Sequence, residues 1–160
     1  MMLWRLFRDA LLDGGECRDI VEKHVLPRLN SMDLKFLYEV NSETRKLMKR
    51  SSRKEELKWK CYIEQMSSIS TLEFAWENRS LWPRGWDETT FCWRVADTNK
   101  LELLKWAREE KECEWHVETI NAVAEHGNLE MLKYCVANEC PIDEMACKIA
   151  ASGGQLEMLK

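Results

Sequence analysis

The fold of this chain is decided by the stretch Ala124-Glu125-His126-Gly127-Asn128-Leu129-Glu130-Met131-Leu132-Lys133. The glycine can end one helix in a left-handed turn, and the asparagine after it is a good N-cap for the next helix. Apolar residues recur at helical spacing on both sides of this turn, over 117–126 and over 129–137. The stretch therefore predicts two short helices joined by a tight turn.

The block Leu-Glu-x-Leu-Lys within this stretch occurs three times, starting at Leu101, Leu129 and Leu156. A unit that recurs at a fixed period of roughly 20–50 residues is typical of stacked repeat architectures. We divide residues 67–160 into repeats at about 71–100, 101–128 and 129–155, followed by a stub at 156–160. The predicted repeat framework consists of Leu101, Leu104, Ala124, Gly127, Leu129, Leu132, Ala151, Gly154, Leu156 and Leu159.

The second helix of the middle repeat has two apolar stripes, Leu129 with Leu132 and Val136, and Met131 with Tyr134. A helix that is apolar on two sides is packed between two neighbours. We therefore expect the leucines of the block in the core and its Glu-Lys pair in solvent. The third block holds only the first residues of a helix, so we expect an incomplete array, a fragment that is less stable than a version with two or more added repeats.

The order Ala-x-x-Gly followed by Leu-Glu-Met-Leu-Lys resembles ankyrin repeats over about residues 68–160. In particular it resembles the divergent ankyrin arrays of green microalgae and large DNA viruses. The resemblance implies an all-α fold, a helical-hairpin solenoid that binds protein partners. Two departures are visible: Glu118-Thr119-Ile120-Asn121 replaces the Thr-Pro-Leu-His start, and the period is shorter than the usual 33 or so. We expect tight loops instead of β-hairpins.

Residues 1–66 lack the repeat and form a helical N-terminal segment, with an amphipathic helix expected over 4–12. The stretch 29–47 predicts a further helix, capped by Ser31 or Asp33, with an apolar face at Leu34, Leu37, Val40 and Leu47. We interpret the segment as a cap, because terminal repeats need a polar outer face.

The spacing of these residues also resembles the second half of an F-box, although the expected Leu-Pro pair is missing at Cys17-Arg18. That resemblance implies that residues 17–47 dock a Skp-type adaptor. It gives the alternative function, a substrate-recognition subunit of a cullin-type ubiquitin ligase.

The net charge of −4 argues against a chain that binds polyanions over its whole surface. One stretch, 45–60, is nevertheless basic, with Arg45, Lys46, Lys49, Arg50, Arg53, Lys54, Lys58 and Lys60. We interpret it as a solvated helix face or linker, and the alternative is a nuclear-localisation or nucleic-acid patch. No nucleic-acid-binding module accompanies it, so we do not expect nucleic acid among the partners.

The seven cysteines are an odd number, and Met1–Asp9 carries charges inside its apolar stretch where a signal peptide would have none. We therefore expect reduced thiols and an intracellular protein, cytoplasmic or nuclear. The apolar runs are shorter than the roughly 18 residues of a membrane span, so no membrane is expected. Cys113 and Cys140 occupy the same place in successive repeats, which indicates packing cysteines.

The sequence contains no recognisable catalytic constellation. His24, His116 and His126 are scattered, the Cys135-x4-Cys140 spacing fits no common zinc pattern, and the paired glycines lack phosphate-loop partners. We predict a non-enzymatic protein-interaction scaffold without cofactor or metal.

The candidate partner contacts are inter-repeat loop residues, Trp86, Trp115, His116 and Asp143. Trp86 and Trp115 fall at similar points of successive loops. Packing of the loops is the favoured explanation for both. The alternative is that they are recognition anchors, a role for which tryptophan is favoured.

Overall fold

The structure is a computed structural model that describes residues 19–58 and 62–159. The chain divides into two compact units, Met1–Gln65 and Met66–Lys160. Every regular element within the described ranges is helical, and no strand occurs there. The predicted all-α class is thereby confirmed. The helix expected over 4–12 lies outside the described residues.

The first unit contains two α-helices, α1 (Ser31–Val40) and α2 (Ser42–Arg50), which pack against each other. Short turns precede and follow them: a π-helical turn at Val21–Val25 and 3-10 turns at Leu26–Arg28, Lys54–Lys58 and Ile63–Gln65. The core of this unit consists of Val21, Leu26, Leu34, Leu47 and Met48.

The prediction of one helix over 29–47 was wrong, because Asn41 interrupts it. Asn41 has an extended backbone, and its side-chain oxygen accepts the N–H groups of Glu43 and Thr44 at 2.9 and 3.0 Å. A side chain that caps a new helix in this way ends the previous one. The cap of α1 is Asn30 and not the expected Ser31 or Asp33. Of the residues on the expected apolar face, Leu34 and Leu47 are buried, but Val40 is 50% exposed.

The second unit contains α3 (Ile69–Glu77), α4 (Glu88–Ala96), α5 (Leu101–Glu109), α6 (Val117–His126), α7 (Leu129–Ala137) and α8 (Glu144–Ser152). Two 3-10 turns lie at Arg79–Leu81 and Leu156–Leu159. Helix α6 packs against both α4 and α8, so these three helices form a row. Each of the three also packs against the helical element that follows it in sequence.

Each of the helices α4 to α8 is followed, within one to three residues, by a residue with left-handed backbone. Their φ angles are 56° at Asn99, 53° at Glu112, 66° at Gly127, 59° at Glu139 and 70° at Gly154. The expected left-handed turn at Gly127 is confirmed, and α6 and α7 have the predicted bounds. Asn99, Glu112 and Glu139 adopt the same left-handed backbone as Gly127, although a Cβ atom makes this backbone less favourable.

The first helix of each pair begins at a repeated capping position. Asp87 precedes α4, His116 precedes α6 and Asp143 precedes α8, and each side chain accepts a backbone N–H from the first turn of its helix. The second helix α7 is capped by Asn128, as predicted, through a bond of 3.0 Å from the N–H of Met131. These caps satisfy donors that a helix start otherwise leaves unpaired.

Burial within the repeats differs in part from the prediction. Leu104 and Ala124 are buried as expected, but α7 buries Met131 and Cys135 completely and leaves Leu132 only half-buried. The expected burial is wrong at Val136 and Leu156, which are 51% and 68% exposed, and the framework residue Ala151 is exposed as well. The remaining framework residues Leu101 and Leu129 are half-buried, and the side chain of Leu159 lies outside the described part.

The left-handed turn at Glu139 gives a stability prediction. Replacing Glu139 by glycine should raise the free energy of unfolding by about 1 kcal/mol, because glycine adopts positive φ without a Cβ clash. Urea denaturation followed by circular dichroism measures the change. The matched control is Glu130→Gly, an exposed position inside α7, which should lose about 1 kcal/mol. Loss of stability in both variants would contradict the role of the turn.

Candidate functional site

The second unit contains an open cleft of about 800 Å³, which we call the loop cleft. Its walls come from the turn Arg79–Leu81, from loop 82–87 with the start of α4, and from loop residues Glu112 and Glu114. The loop sequence Trp82-Pro83-Arg84-Gly85-Trp86 places a tryptophan on each side of a proline and a glycine. Gly85 has a φ of 91°, so the loop turns back on itself there.

One wall of the loop cleft is backed by an aromatic cluster. Trp82 stacks on Phe91 with ring centres 5.0 Å apart, and Trp76 meets both rings at 5.8 and 5.2 Å. The indole N–H of Trp82 donates to the carbonyl oxygen of Ala75 at 2.7 Å. Phe91 is fully buried. Trp82 is therefore held on two sides, and the wall that it forms is rigid.

Arg79 closes the outer side of this aromatic wall. Its guanidinium carbon lies 4.7 Å from the ring centre of Trp76 and 5.4 Å from that of Trp82. The same group forms an ion pair of 2.6 Å with Glu88, a residue of the cleft wall. Cation–π contacts and an ion pair together hold the guanidinium over the rings. The guanidinium of Arg79 therefore stabilises the aromatic wall, and its positive charge is already paired with Glu88.

The second tryptophan of the loop, Trp86, is half-buried and lines the loop cleft. The guanidinium carbon of Arg94 lies 5.7 Å from its ring centre and 3.9 Å from that of Trp93. Arg94 also pairs with Asp97 at 3.3 Å. The indole of Trp86 is thus part of the cleft wall, and part of it stays accessible to solvent.

The charged groups of the loop cleft are mainly acidic. Besides the paired Arg79 and Glu88, the wall holds the carboxylates of Asp87, Glu112 and Glu114 and one further guanidinium, that of Arg84. Asp87 accepts the N–H of Thr90 at 2.7 Å, and this hydrogen bond lowers the pKa of Asp87. The carboxylate is therefore ionised at neutral pH, and the cleft favours a cationic group.

Of the four sequence candidates, Trp86 lines the loop cleft and the other three lie elsewhere. His116 caps α6 and borders a smaller cavity of about 230 Å³. Asp143 caps α8 by accepting the N–H of Met145 at 2.9 Å. Trp115 donates its indole N–H to the carbonyl oxygen of Asn138 at 2.8 Å. His116 and Asp143 therefore stabilise the helices that they precede, and Trp115 ties its loop to the end of α7.

Sequence reasoning missed Arg79, Trp82 and Arg84 of the loop cleft. The available signal was the pair of tryptophans around Pro83 and Gly85, which marks a tight aromatic loop. The contact of Arg79 with both rings could not be read from spacing. It depends on how the end of α3 and the loop that follows bring the two rings together.

A second surface is an apolar groove of about 220 Å³ formed by α6, α7, α8 and the last turn. Val136 and Ile142 line it and are 51% and 54% exposed. Cys147 is also exposed at this groove. No charged side chain lines the groove, so a ligand could contact it only through apolar groups that fit its shape.

The basic stretch 45–60 has a structural use in the first unit. Arg53 forms a double ion pair with Glu56, with both distances 2.5 Å, and donates to the carbonyl oxygens of Leu26 and Leu29. Arg45 pairs with Glu39 at 2.8 Å, and Lys58 pairs with Glu55 at 2.6 Å. Lys60 lies outside the described residues.

Three further observations limit the chemistry of the described residues. The cysteines that the structure describes, Cys92, Cys113, Cys135, Cys140 and Cys147, are all free thiols. Across the ranges 19–58 and 62–159, no group of three or more histidine, cysteine or acidic side chains could hold a metal ion. None of the helices in this part of the chain is long and apolar enough to cross a membrane.

Comparison with known proteins adds no relative. No family model matches the chain, and neither a curated protein nor a solved structure matches it. The geometry of the second unit is therefore the basis on which a function can be inferred.

Proposed function

We propose that the unit Met66–Lys160 is a non-catalytic protein-interaction module and that its loop cleft binds a segment of a partner protein. The observation that carries this proposal is the position of Trp86, which is half-exposed beside the carboxylates of Asp87, Glu112 and Glu114. Tryptophan is a favoured anchor in protein interfaces. The helix pairs and their repeated caps support an ankyrin-like scaffold as the frame that presents this loop.

The chemistry of the loop cleft favours a partner segment that carries lysine or arginine. A cationic side chain can lie on the indole face of Trp86 while its charge meets the surrounding carboxylates. Glu112 and Glu114 are exposed, so they act at the rim and influence the rate of association. We expect binding to weaken as salt screens these charges.

An array of immobilised peptides with varied charge tests this function directly. We expect the full chain to prefer lysine- and arginine-containing peptides, with affinity about tenfold lower in Trp86→Ala, the loss that removal of an aromatic anchor gives. The matched control is Ile142→Ala, which changes the equivalent residue before the cap Asp143, outside the loop cleft. Charge reversal by Glu112→Lys with Glu114→Lys should shift the preference towards acidic peptides. Equal binding by the wild type and Trp86→Ala would contradict the proposal.

A further inference from the structure

Helix α7 ends in a turn that brings two cysteines together. The N–H of Cys140 donates to the carbonyl oxygen of Cys135 at 3.0 Å, and the N–H of Glu139 donates to that of Val136 at 3.2 Å. With Glu139 in the left-handed region, these two bonds define a Schellman motif. In this motif the residues at the positions of Cys135 and Cys140 have side chains in contact. That contact normally joins two apolar residues, and here it joins two thiols.

The two thiols are hydrogen-bonded to each other, and Cys140 lies nearer the surface than Cys135. Cys135 is fully buried and Cys140 is 5% exposed, in a loop whose neighbouring residues Glu139 and Pro141 are exposed. The hydrogen bond with Cys135 lowers the pKa of the Cys140 thiol, and the nearby Arg108 guanidinium acts in the same direction against the effect of burial. The same hydrogen bond raises the pKa of Cys135. Cys140 is also the more exposed of the two thiols, so an oxidant in solution reaches it first, and its thiolate is the reactive form.

The preceding repeat provides an internal comparison. Cys113 holds the place of Cys140, but Ala107 holds the place of Cys135, so the thiol that bonds to Cys113 is Cys92 of α4. Cys92 and Cys113 are 0% and 1% exposed, deeper than Cys140. An oxidant in solution therefore meets Cys140 before it meets this second pair.

We propose that Cys135 and Cys140 are a dithiol site that low-molecular-weight disulfides, such as oxidised glutathione, convert to a protein disulfide. The thiolate of Cys140 attacks a sulfur of the oxidant, which forms a mixed disulfide and releases one glutathione thiolate. Cys135 then loses its proton to solvent, and its sulfur attacks Sγ of Cys140 and releases the second glutathione thiolate. The protein loses two electrons and two protons, and the oxidant is reduced to two thiols.

The product ties the last turn of α7 to the loop that leads to α8. The bond forms between side chains that already touch, so it needs little movement of the backbone. It fixes the turn in which Glu139 has left-handed geometry. This inference does not depend on what the loop cleft binds, because neither cysteine lines that cleft.

Equilibration of the full chain in glutathione redox buffers, followed by alkylation and peptide mapping, tests the dithiol site. We expect the first intramolecular disulfide to join Cys135 and Cys140, with the mass of the chain reduced by two hydrogens. In Cys135→Ala, which copies Ala107 of the preceding repeat, Cys140 should accumulate as an unresolved glutathione adduct. Cys147→Ser should leave the disulfide unchanged, because Cys147 lies outside the pair.

Two results would overturn the inference. One is a first disulfide between Cys92 and Cys113 while Cys135 and Cys140 stay reduced. The other is glutathione on Cys147 under conditions in which the pair still binds iodoacetamide at both sulfurs. A circular dichroism spectrum like that of the wild type would show that Cys135→Ala is folded. Cys140→Ser is a second variant, and it should also lack the disulfide.

Discussion

Replacing Phe91 by alanine is expected to destabilise the second unit by about 3–5 kcal/mol, which is the usual cost of removing a fully buried phenylalanine. Phe91 is 0% exposed and supports both Trp82 and Trp76 through ring contacts at 5.0 and 5.2 Å. Its removal opens a cavity beneath the aromatic wall and frees Trp82 from one of its two supports. The variant should therefore lose both stability and the shape of the loop cleft.

Tryptophan fluorescence in a urea titration measures this change, since six of the eight tryptophans lie in the second unit. The matched control is Phe91→Leu, which keeps an apolar side chain of similar size and should cost less than about 1.5 kcal/mol. If Phe91→Ala and Phe91→Leu unfold at the same urea concentration, the aromatic cluster does not stabilise this unit as described.

Replacing Arg53 by alanine is expected to destabilise the first unit by about 2–4 kcal/mol, because a partly buried carboxylate loses its partner. The side chains of Arg53 and Glu56 are 23% and 17% exposed. The variant leaves Glu56 without its double ion pair and removes the donor to the carbonyl oxygens of Leu26 and Leu29. These two carbonyls flank the 3-10 turn that leads into α1.

Circular dichroism over a urea titration measures the loss, with two variants as controls. Lys54→Ala removes an exposed neighbouring charge and should change stability by less than about 0.5 kcal/mol. Arg53→Lys keeps the charge but cannot form the planar double contact. Its free energy of unfolding should therefore lie between those of Arg53→Ala and Lys54→Ala. Equal stability of Arg53→Ala and Lys54→Ala would refute the structural role of this side chain.

The Arg53 interaction also has a pH signature. The hydrogen bond from Arg53 lowers the pKa of Glu56 below its ordinary value of 4.5, with a further contribution from Ser31. A carboxyl with a lowered folded-state pKa adds stability above its unfolded pKa, and this stability is lost as the pH falls through the folded value. As the pH falls below about 4.5, the free energy of unfolding of the wild type should therefore decrease by more than that of Arg53→Ala.

Local signals in the sequence were sufficient to predict the pair α6 and α7. Gly127 and Asn128 give a stop signal and a start signal at adjacent positions, and both act through backbone hydrogen bonds within a few residues. Asn41 carried the same kind of signal, since its side chain can cap the residues that follow. The helical spacing of the apolar residues Leu34, Leu37, Val40 and Leu47 on both sides of Asn41 hid the break between α1 and α2.

The burial of Val136 and the geometry of the loop cleft could not be predicted in this way. Hydrophobic periodicity identifies which side chains share a helix face, but the neighbours of that face determine burial. Val136 lies on an apolar stripe and is still 51% exposed. The cleft depends on contacts of Arg79 with two rings from different segments. The ankyrin-like class, the adaptor-binding alternative and intracellular location remain predictions from the sequence.

Equivalent leucines in successive repeats have different environments, since Leu104 is fully buried and its counterpart Leu132 is half-buried. In the row formed by α4, α6 and α8, each helix is stabilised mainly by its nearest neighbours. Release of α8 would leave the contact between α4 and α6 intact. A partial opening that releases α8 from α6 should therefore cost less free energy than global unfolding of the unit, so its folding cooperativity is graded along the row.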